Sequence, residues 1–278
     1  MAPATVQRYE TSLKHTRDFV WETYHKKDVL LDEVSRQFIE DYEFWLKTEK
    51  KCCHNTATKY LKNFKKIIRI ALAKGWMKND PFLEIRFSLD KVEPDFLEDS
   101  EIQKLISKEI DIPRLSQVRD IFVFCCFTGL AFSDIHGLRK EHIVEDSNGV
   151  RWIRKGRQKT KIMCNIPLME IPLKILEKYS TNEYCKKHGV LFPVLCNQKM
   201  NAYLKELADI CGIKKTLTTH VGRHTFATFA LANGVSIESV AKMLGHTNVQ
   251  MTRHYARVLD RTVIREMSQI KMDFHISI

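Results

Sequence analysis

The sequence predicts a mainly α-helical chain in two parts, the second carrying a small antiparallel sheet. Three observations lead there. Apolar residues recur at helical spacing through most of the 278 residues. The period changes to two only around residues 142–168. Near residue 95 the periodicity lapses in a mixed-charge stretch containing Pro94, which marks a linker. Composition sets the bounds. Apolar residues make up 44% of the chain, enough to fill a core. No apolar run reaches membrane-spanning length, and the first residues, MAPATVQRYE, have no apolar secretory core. A formal charge of +11 favours phosphate backbones or anionic membrane surfaces as partners. The eight cysteines are scattered, with adjacent pairs at Cys52–Cys53 and Cys125–Cys126 and no CxxC spacing. That pattern suits neither a zinc site nor a disulfide framework, so a reduced, cytoplasmic protein with buried thiols is expected.

The first ninety residues read as helices. Tyr9, Leu13, Thr16 and Val20 place one from Thr5 to about Tyr24. Phe38, Tyr42 and Trp45 share a face of a second, from about Ser35 to Lys50. A third follows Asn55, a candidate N-cap, with Leu61, Phe64, Ile67, Ile68, Ala71 and Leu72 as its apolar stripe. Gly75 lies past its end and Pro81 stops the next segment. No acid occurs between Glu49 and Asp80, whereas Lys59, Lys62, Lys65, Lys66 and Arg69 do. An apolar stripe opposite a face of one sign suits contact with a phosphate backbone, although a solvated helix face has the same composition.

Leu97-Glu98-Asp99-Ser100-Glu101 reads as a new helix start, with early acids. An apolar run from Val118 to Thr128 ends at Gly129. Asp146-Ser147-Asn148-Gly149 is a turn, Val150, Trp152 and Ile153 suit a strand, and Ile162, Cys164 and Ile166 alternate up to Pro167. Arg154, Lys155, Arg157, Lys159 and Lys161 crowd the connection between them. From Pro172 onward the chain reads as helical to near its end.

Four elements carry chemistry. Thr219 is a candidate N-cap, followed by His220 and, three residues on, Arg223, which puts both on one side of a helix's first turn. Free N–H groups, the dipole and a guanidinium at a helix start make a phosphate site, though such pairs are common on surfaces. Ile237, Val240, Ala241 and Leu244 form an amphipathic helix with Ser236 as N-cap, and Gly245 ends it in the left-handed conformation, projecting His246. Tyr255 follows nine residues later, on a short helix starting near Asn248. A phenol is a poor nucleophile at neutral pH unless cations favour its phenolate. Lys159, in Arg157-Gln158-Lys159-Thr160-Lys161, is a mobile proton donor.

In order and spacing, His220-x-x-Arg223, Leu244-Gly245-His246 and Tyr255 resemble the signature of the tyrosine recombinase (phage integrase) family. Thr128-Gly129-Leu130 with Ser133-Asp134-Ile135 resembles its first box, and the hairpin before Ile166-Pro167-Leu168 its lysine-bearing sheet. The resemblance spans nearly the whole chain. It implies a two-domain tyrosine recombinase: a helical core-binding DNA-clamp domain over 1–92, a linker over 93–98 and a mixed catalytic domain over 99–278. Tyr255 then attacks a phosphodiester to form a 3′-phosphotyrosyl link, Lys159 protonates the leaving 5′-hydroxyl, and Arg223, His220 and His246 hold the phosphate. Double-stranded DNA, a homotetramer on it and accessory DNA-bending proteins are the implied partners, with a nucleoid-associated cytoplasmic location. No cofactor or metal is required, because the covalent link conserves the bond energy, and the sequence shows no Walker loop or acid cluster.

One departure stands out. The family's first box places an arginine after Thr-Gly-Leu, and here that position is Ala131. The version Ala131-Phe132-Ser133-Asp134 resembles integrases of Bacteroidota mobile elements. Arg154, Arg157 and Arg139 are the candidate substitutes by proximity in sequence. A type IB topoisomerase-like enzyme and a catalytically weak site-specific DNA-binding protein remain alternatives. The tail, with Val263, Ile264, Met267, Ile270, Met272 and Phe274 to Ile278, is apolar on one face and fits docking on a neighbouring protomer or on its own domain. Many mobile-element integrases carry a further N-terminal arm-binding domain, so this chain is expected to be a short member or a piece of a longer protein.

Overall fold

The computed structural model describes residues 3–255 and 267–268, in two compact units, Met1–Glu93 and Pro94–Ile278. The first is built from α1 (Pro3–Tyr24), α2 (Arg36–Thr48) and α3 (His54–Ala73). Ser35 caps α2 by accepting from the Phe38 amide. Asn55 does not cap α3. The helix starts two residues earlier than that cap implies, behind Cys53, and the Asn55 amide instead exchanges two hydrogen bonds with the backbone of Asp90. The core is aromatic: Phe19, Phe38, Tyr42 and Trp45 pack with Leu46, Leu61 and Phe82. Burying these rings is what holds a three-helix unit of this size together.

The second unit contains α4 (Asp99–Ser107), α5 (Pro113–Thr128), α6 (Phe132–His136), the strands β1 (Ile143–Glu145), β2 (Arg151–Gly156) and β3 (Met163–Pro167), then α7 (Glu170–Tyr179), α8 (Glu183–His188), α9 (Asn197–Ile210), α10 (Thr219–Ala232), α11 (Ile237–Leu244) and α12 (Gln250–Arg253). The sheet is antiparallel in the order β1-β2-β3, with Ile153 opposite Ile143 and Ile166. Ile153, Cys164 and Ile166 turn one face to a core shared with α5, which is buried along most of its length. α10 packs on α5, and Gly222 is the point of close approach: a Cβ there would lie 3.2 Å from Cys125 and Phe122.

Two local expectations need correction. Thr218, not Thr219, caps α10; it is extended and its hydroxyl accepts from the Val221 amide. Thr219 opens the helix and its hydroxyl donates to Asn197. The thiols are not uniformly buried either, since Cys53 and Cys196 are exposed, and all eight are free. No described helix is long and apolar enough to cross a membrane. Of the tail, Met267 is described and exposed; Val263, Ile264, Ile270, Met272 and Phe274 to Ile278 lie outside the described residues.

Candidate active site

Arg223 is the centre of the second unit. It is a charged side chain only 2% exposed, which water cannot solvate, so the protein must. Two helix ends do this. Nη1 donates to the carbonyl of Gly129, just past α5, at 2.7 Å, and Nη2 to that of Leu244, the last residue of α11, at 2.6 Å. Helix C-termini leave carbonyls without intrahelical donors and carry the negative end of the dipole, so both are suited to a cation. Gly129 permits the approach: its φ is +67°, and a Cβ there would stand 2.4 Å from Phe226.

Gly245 ends α11 in the left-handed conformation, as the sequence suggests, and projects His246 toward Arg223. Nη2 lies 3.0 Å from His246 Nε2. Tyr255 follows α12 and is buried among Phe226, Ala227, Ala230, Val240 and Leu244. Its ring stacks with that of His246 at 6.0 Å and tilts against His224 at 4.8 Å. Burial, then the Arg157 cation, lowers the pKa of Arg223, and interaction with Tyr255 opposes this, which puts the phenol beside the guanidinium. Desolvation, then Arg223 and Arg157, push His246 down to about 4. His220, at the exposed first turn of α10, is lowered by crowding from surrounding protein and by Arg223, Arg157 and Lys159. Both imidazoles are therefore neutral at pH 7 in the DNA-free protein.

Beside them opens a pocket of about 290 Å³ lined by Ala131, Ser133, Arg157, Lys159, Thr219 and His220, among others. Strand alternation sorts the three candidate arginines. Ile153, Lys155 and Arg157 share a parity and face inward, and the Arg157 amide still pairs with the Ile162 carbonyl beyond the strand. Arg154 has the opposite parity and is exposed. Arg139 lines a separate groove with Lys140, Glu141 and Ile143. Only Arg157 reaches the pocket, and its Nε and Nη1 are buried with no hydrogen-bond partner among the described residues. Unmet buried donors are rare in folded proteins and call for a ligand or an ion.

Three further residues belong to this site and were given no role from sequence. Asp134, 1% exposed, accepts from the Gln158 amide at 2.8 Å and so pins the hairpin that carries Arg157 and Lys159. An acid set between Phe132, Ile135 and Leu138 was a usable signal. His224 stands between His220 and Tyr255, its ring edge-on to His220 at 4.3 Å. Thr252 is fully buried against His246. The lysines named for DNA contact lie in the other unit, on α3. Lys59, Lys66 and Arg69 are exposed there, Lys62 and Lys65 lean over Phe87, and Lys66 leans over Tyr9. Among the described residues no group of three His, Cys, Asp or Glu side chains is placed to hold a metal ion.

The chain matches two family models: the phage integrase SAM-like domain over residues 1–92 and the phage integrase family over residues 95–262. A tyrosine recombinase of Pseudothermotoga lettingae is 29% identical over 92% of this chain and 88% of that protein. The tyrosine recombinase XerD of Oceanobacillus iheyensis is 26% identical over 91% and 87%. Among solved structures, a lambda integrase dimer bound to a COC′ core site superposes with a TM-score of 0.74 at 17% identity, covering 100% of this chain and 94% of that one. The Tn1549 transposon integrase in complex with a circular intermediate DNA gives 0.73 at 18%, covering 97% and 95%.

Proposed function

The chain belongs to the phage integrase family, as a site-specific recombinase that cuts and rejoins DNA, and we propose that it does so through Tyr255. The observation that carries this reading is the meeting of Tyr255, Arg223 and His246, from three separate segments, around one buried guanidinium. The phenol oxygen attacks phosphorus, the bond to the 5′ oxygen breaks and a 3′-phosphotyrosyl link forms. Lys159 delivers the proton to the departing 5′ oxygen. Arg223 and His220 bind the non-bridging oxygens, whose charge grows in the transition state, and His246, held against Arg223, assists proton movement. A 5′-hydroxyl of a second duplex then attacks the link and releases Tyr255. Arg157 takes the place of the arginine that Ala131 lacks, because its unmet donors already border the pocket that Ala131 lines.

Residues 1–92 act as the core-binding domain, 93–98 as the linker and 99–278 as the catalytic domain, closing together on duplex DNA. Lys59, Lys62, Lys65, Lys66 and Arg69 supply backbone contacts. Strand exchange between two duplexes needs a protomer on each half-site, hence a tetramer on DNA, with accessory bending proteins where the sites are distant. The setting is integration of a mobile element, with the protein held on the nucleoid. The test is a nicked suicide duplex built on a site selected by the protein from random sequence. Wild type should accumulate a covalent adduct and Tyr255→Phe none. The same adduct in Tyr255→Phe removes the nucleophile assignment, and specific binding with no adduct in either leaves a DNA-binding protein.

A further inference from the structure

His246 makes two side-chain hydrogen bonds, and their chemistry fixes its proton. Nε2 faces Arg223 Nη2 at 3.0 Å, and a guanidinium has only donors, so Nε2 must accept. A neutral imidazole then carries its hydrogen on Nδ1, which lies 2.8 Å from the Thr252 hydroxyl oxygen. Thr252 is 0% exposed, so bulk solvent does not reach that bond. The same residue is joined to the tyrosine: the Tyr255 amide donates to the Thr252 carbonyl at 2.9 Å, and the Thr252 amide to Val249 at 2.8 Å. One residue therefore grips His246 through its side chain and Tyr255 through its backbone.

We propose that Thr252 is a positioning residue that holds His246 as the Nδ1–H tautomer and makes that state conditional on Tyr255 being seated. This deepens the recombinase reading and rests on it for the link to cleavage. When the segment bearing Tyr255 is in place, the oxygen of Thr252 accepts the hydrogen bond from Nδ1–H, and Nε2 keeps its lone pair on the Arg223 guanidinium. When the segment leaves, Thr252 leaves with it, and Nδ1 loses its acceptor. Arg223 alone then holds Nε2, and the imidazole rotates and exchanges its proton between nitrogens more readily than when both nitrogens are held. The groups facing His246 are Arg223 on α10, Arg157 on the hairpin, Cys164 on β3 beneath Gly245, and Tyr255 with Thr252 after α11. None of them is a carboxylate that offers Nδ1 another acceptor.

The experiment uses the full chain without DNA, labelled with ¹⁵N-histidine, and assigns His246 by its loss in His246→Gln. Imidazole nitrogen shifts should report Nδ1–H with a bare Nε2 in wild type, and a mixture of tautomers in Thr252→Val. An Nε2–H tautomer in wild type, or an unchanged one in Thr252→Val, overturns the proposal whatever the protein does to DNA. On the nicked duplex, Thr252→Val should form adduct roughly ten- to a hundredfold more slowly, as loss of a group that orients a functional imidazole does, with melting temperature and duplex binding held. Thr252→Ser should return to within about threefold, since it keeps the oxygen. Thr252→Ser as slow as Thr252→Val assigns the effect to the methyl group and also overturns the proposal. If wild type forms no adduct, the nucleophile reading falls while the tautomer result still decides this one.

Discussion

Replacing Arg157 by Met separates folding from chemistry, because the two respond in opposite directions. The Met side chain keeps an unbranched stem and removes the guanidinium. In the DNA-free protein Arg157 has two buried nitrogens without partners among the described residues. An unmet buried donor costs about 1–3 kcal/mol, and the half-buried setting of this side chain keeps the figure at the low end. Arg157→Met should therefore leave stability unchanged or raise it by about 1 kcal/mol, roughly 2–4 °C in melting temperature for a unit of this size. Cleavage should fall. A donor aimed at developing oxyanion charge is worth about 2.7–4 kcal/mol, so adduct formation in single turnover should slow by roughly 10²–10³-fold. A third readout follows from His246, whose pKa Arg157 helps to hold near 4. Between that value and the ordinary 6.5 the unfolded chain binds a proton that the folded one refuses, so stability declines as pH falls through this window. Without Arg157 the folded pKa rises and the decline becomes shallower. Adding Ala131→Arg should recover cleavage by restoring a guanidinium to the same pocket. Adduct formation by Arg157→Met within threefold of wild type refutes the substitution of one arginine for the other. So does a loss of stability above about 2 kcal/mol with no change in the acid limb.

Two more expectations follow from geometry. Gly129→Ala should lower stability by about 2–4 kcal/mol, because φ is +67° and its Cβ would meet Phe226 at 2.4 Å and Leu244 at 2.8 Å; a chemical denaturation midpoint equal to wild type counts against this packing. Lys62, Lys65 and Lys66 together replaced by Gln should weaken binding to every duplex and reduce the salt slope by up to about 3, one counterion contact per lysine; an unchanged slope returns α3 to an ordinary solvated face.

The sequence was most informative where a residue's role depends on its immediate neighbours. Ser236 as cap, Gly245 as left-handed terminator and the place of His246 beyond it all arise within one turn of chain, and the structure has them so. Caps with two equivalent candidates were less legible. Thr218 and Thr219 offer the same hydroxyl, and which one caps depends on where Asn197 and Asn201 of α9 take up the other. Asn55 reads as a cap from its neighbours alone, because the partner it serves, Asp90, lies 35 residues away. The arginines could have been sorted from sequence. Once Ile153 is read as facing the core, period two turns Arg157 inward and Arg154 outward. What no local pattern reveals is the desolvation of Arg223, since the carbonyls that hold it come from two other helices.

If Arg157 substitutes as proposed, those carbonyls also account for an integrase site with alanine in its first box. Two cations are needed near a phosphodiester that gains charge, and one of them, Arg223, is already fixed by the ends of α5 and α11. Any element that borders the same pocket can supply the other. On the α6 side it would arrive from position 131, at the N-cap of a five-residue helix. On the assignment proposed for Arg157 it arrives from the hairpin, where Asp134, three residues past Ala131, accepts the Gln158 amide and holds the turn against the first box. The exchange therefore keeps the charge in place while changing what carries it. It also joins the phosphate clamp to the proton donor, because Arg157 and Lys159 sit two residues apart on one turn. On the roles proposed for Arg157 and Lys159, movement of that hairpin withdraws both at once, so binding of the phosphate and protonation of the leaving oxygen depend on a single local arrangement. In a site where the cation and the lysine reside on separate elements, the two steps can be lost independently.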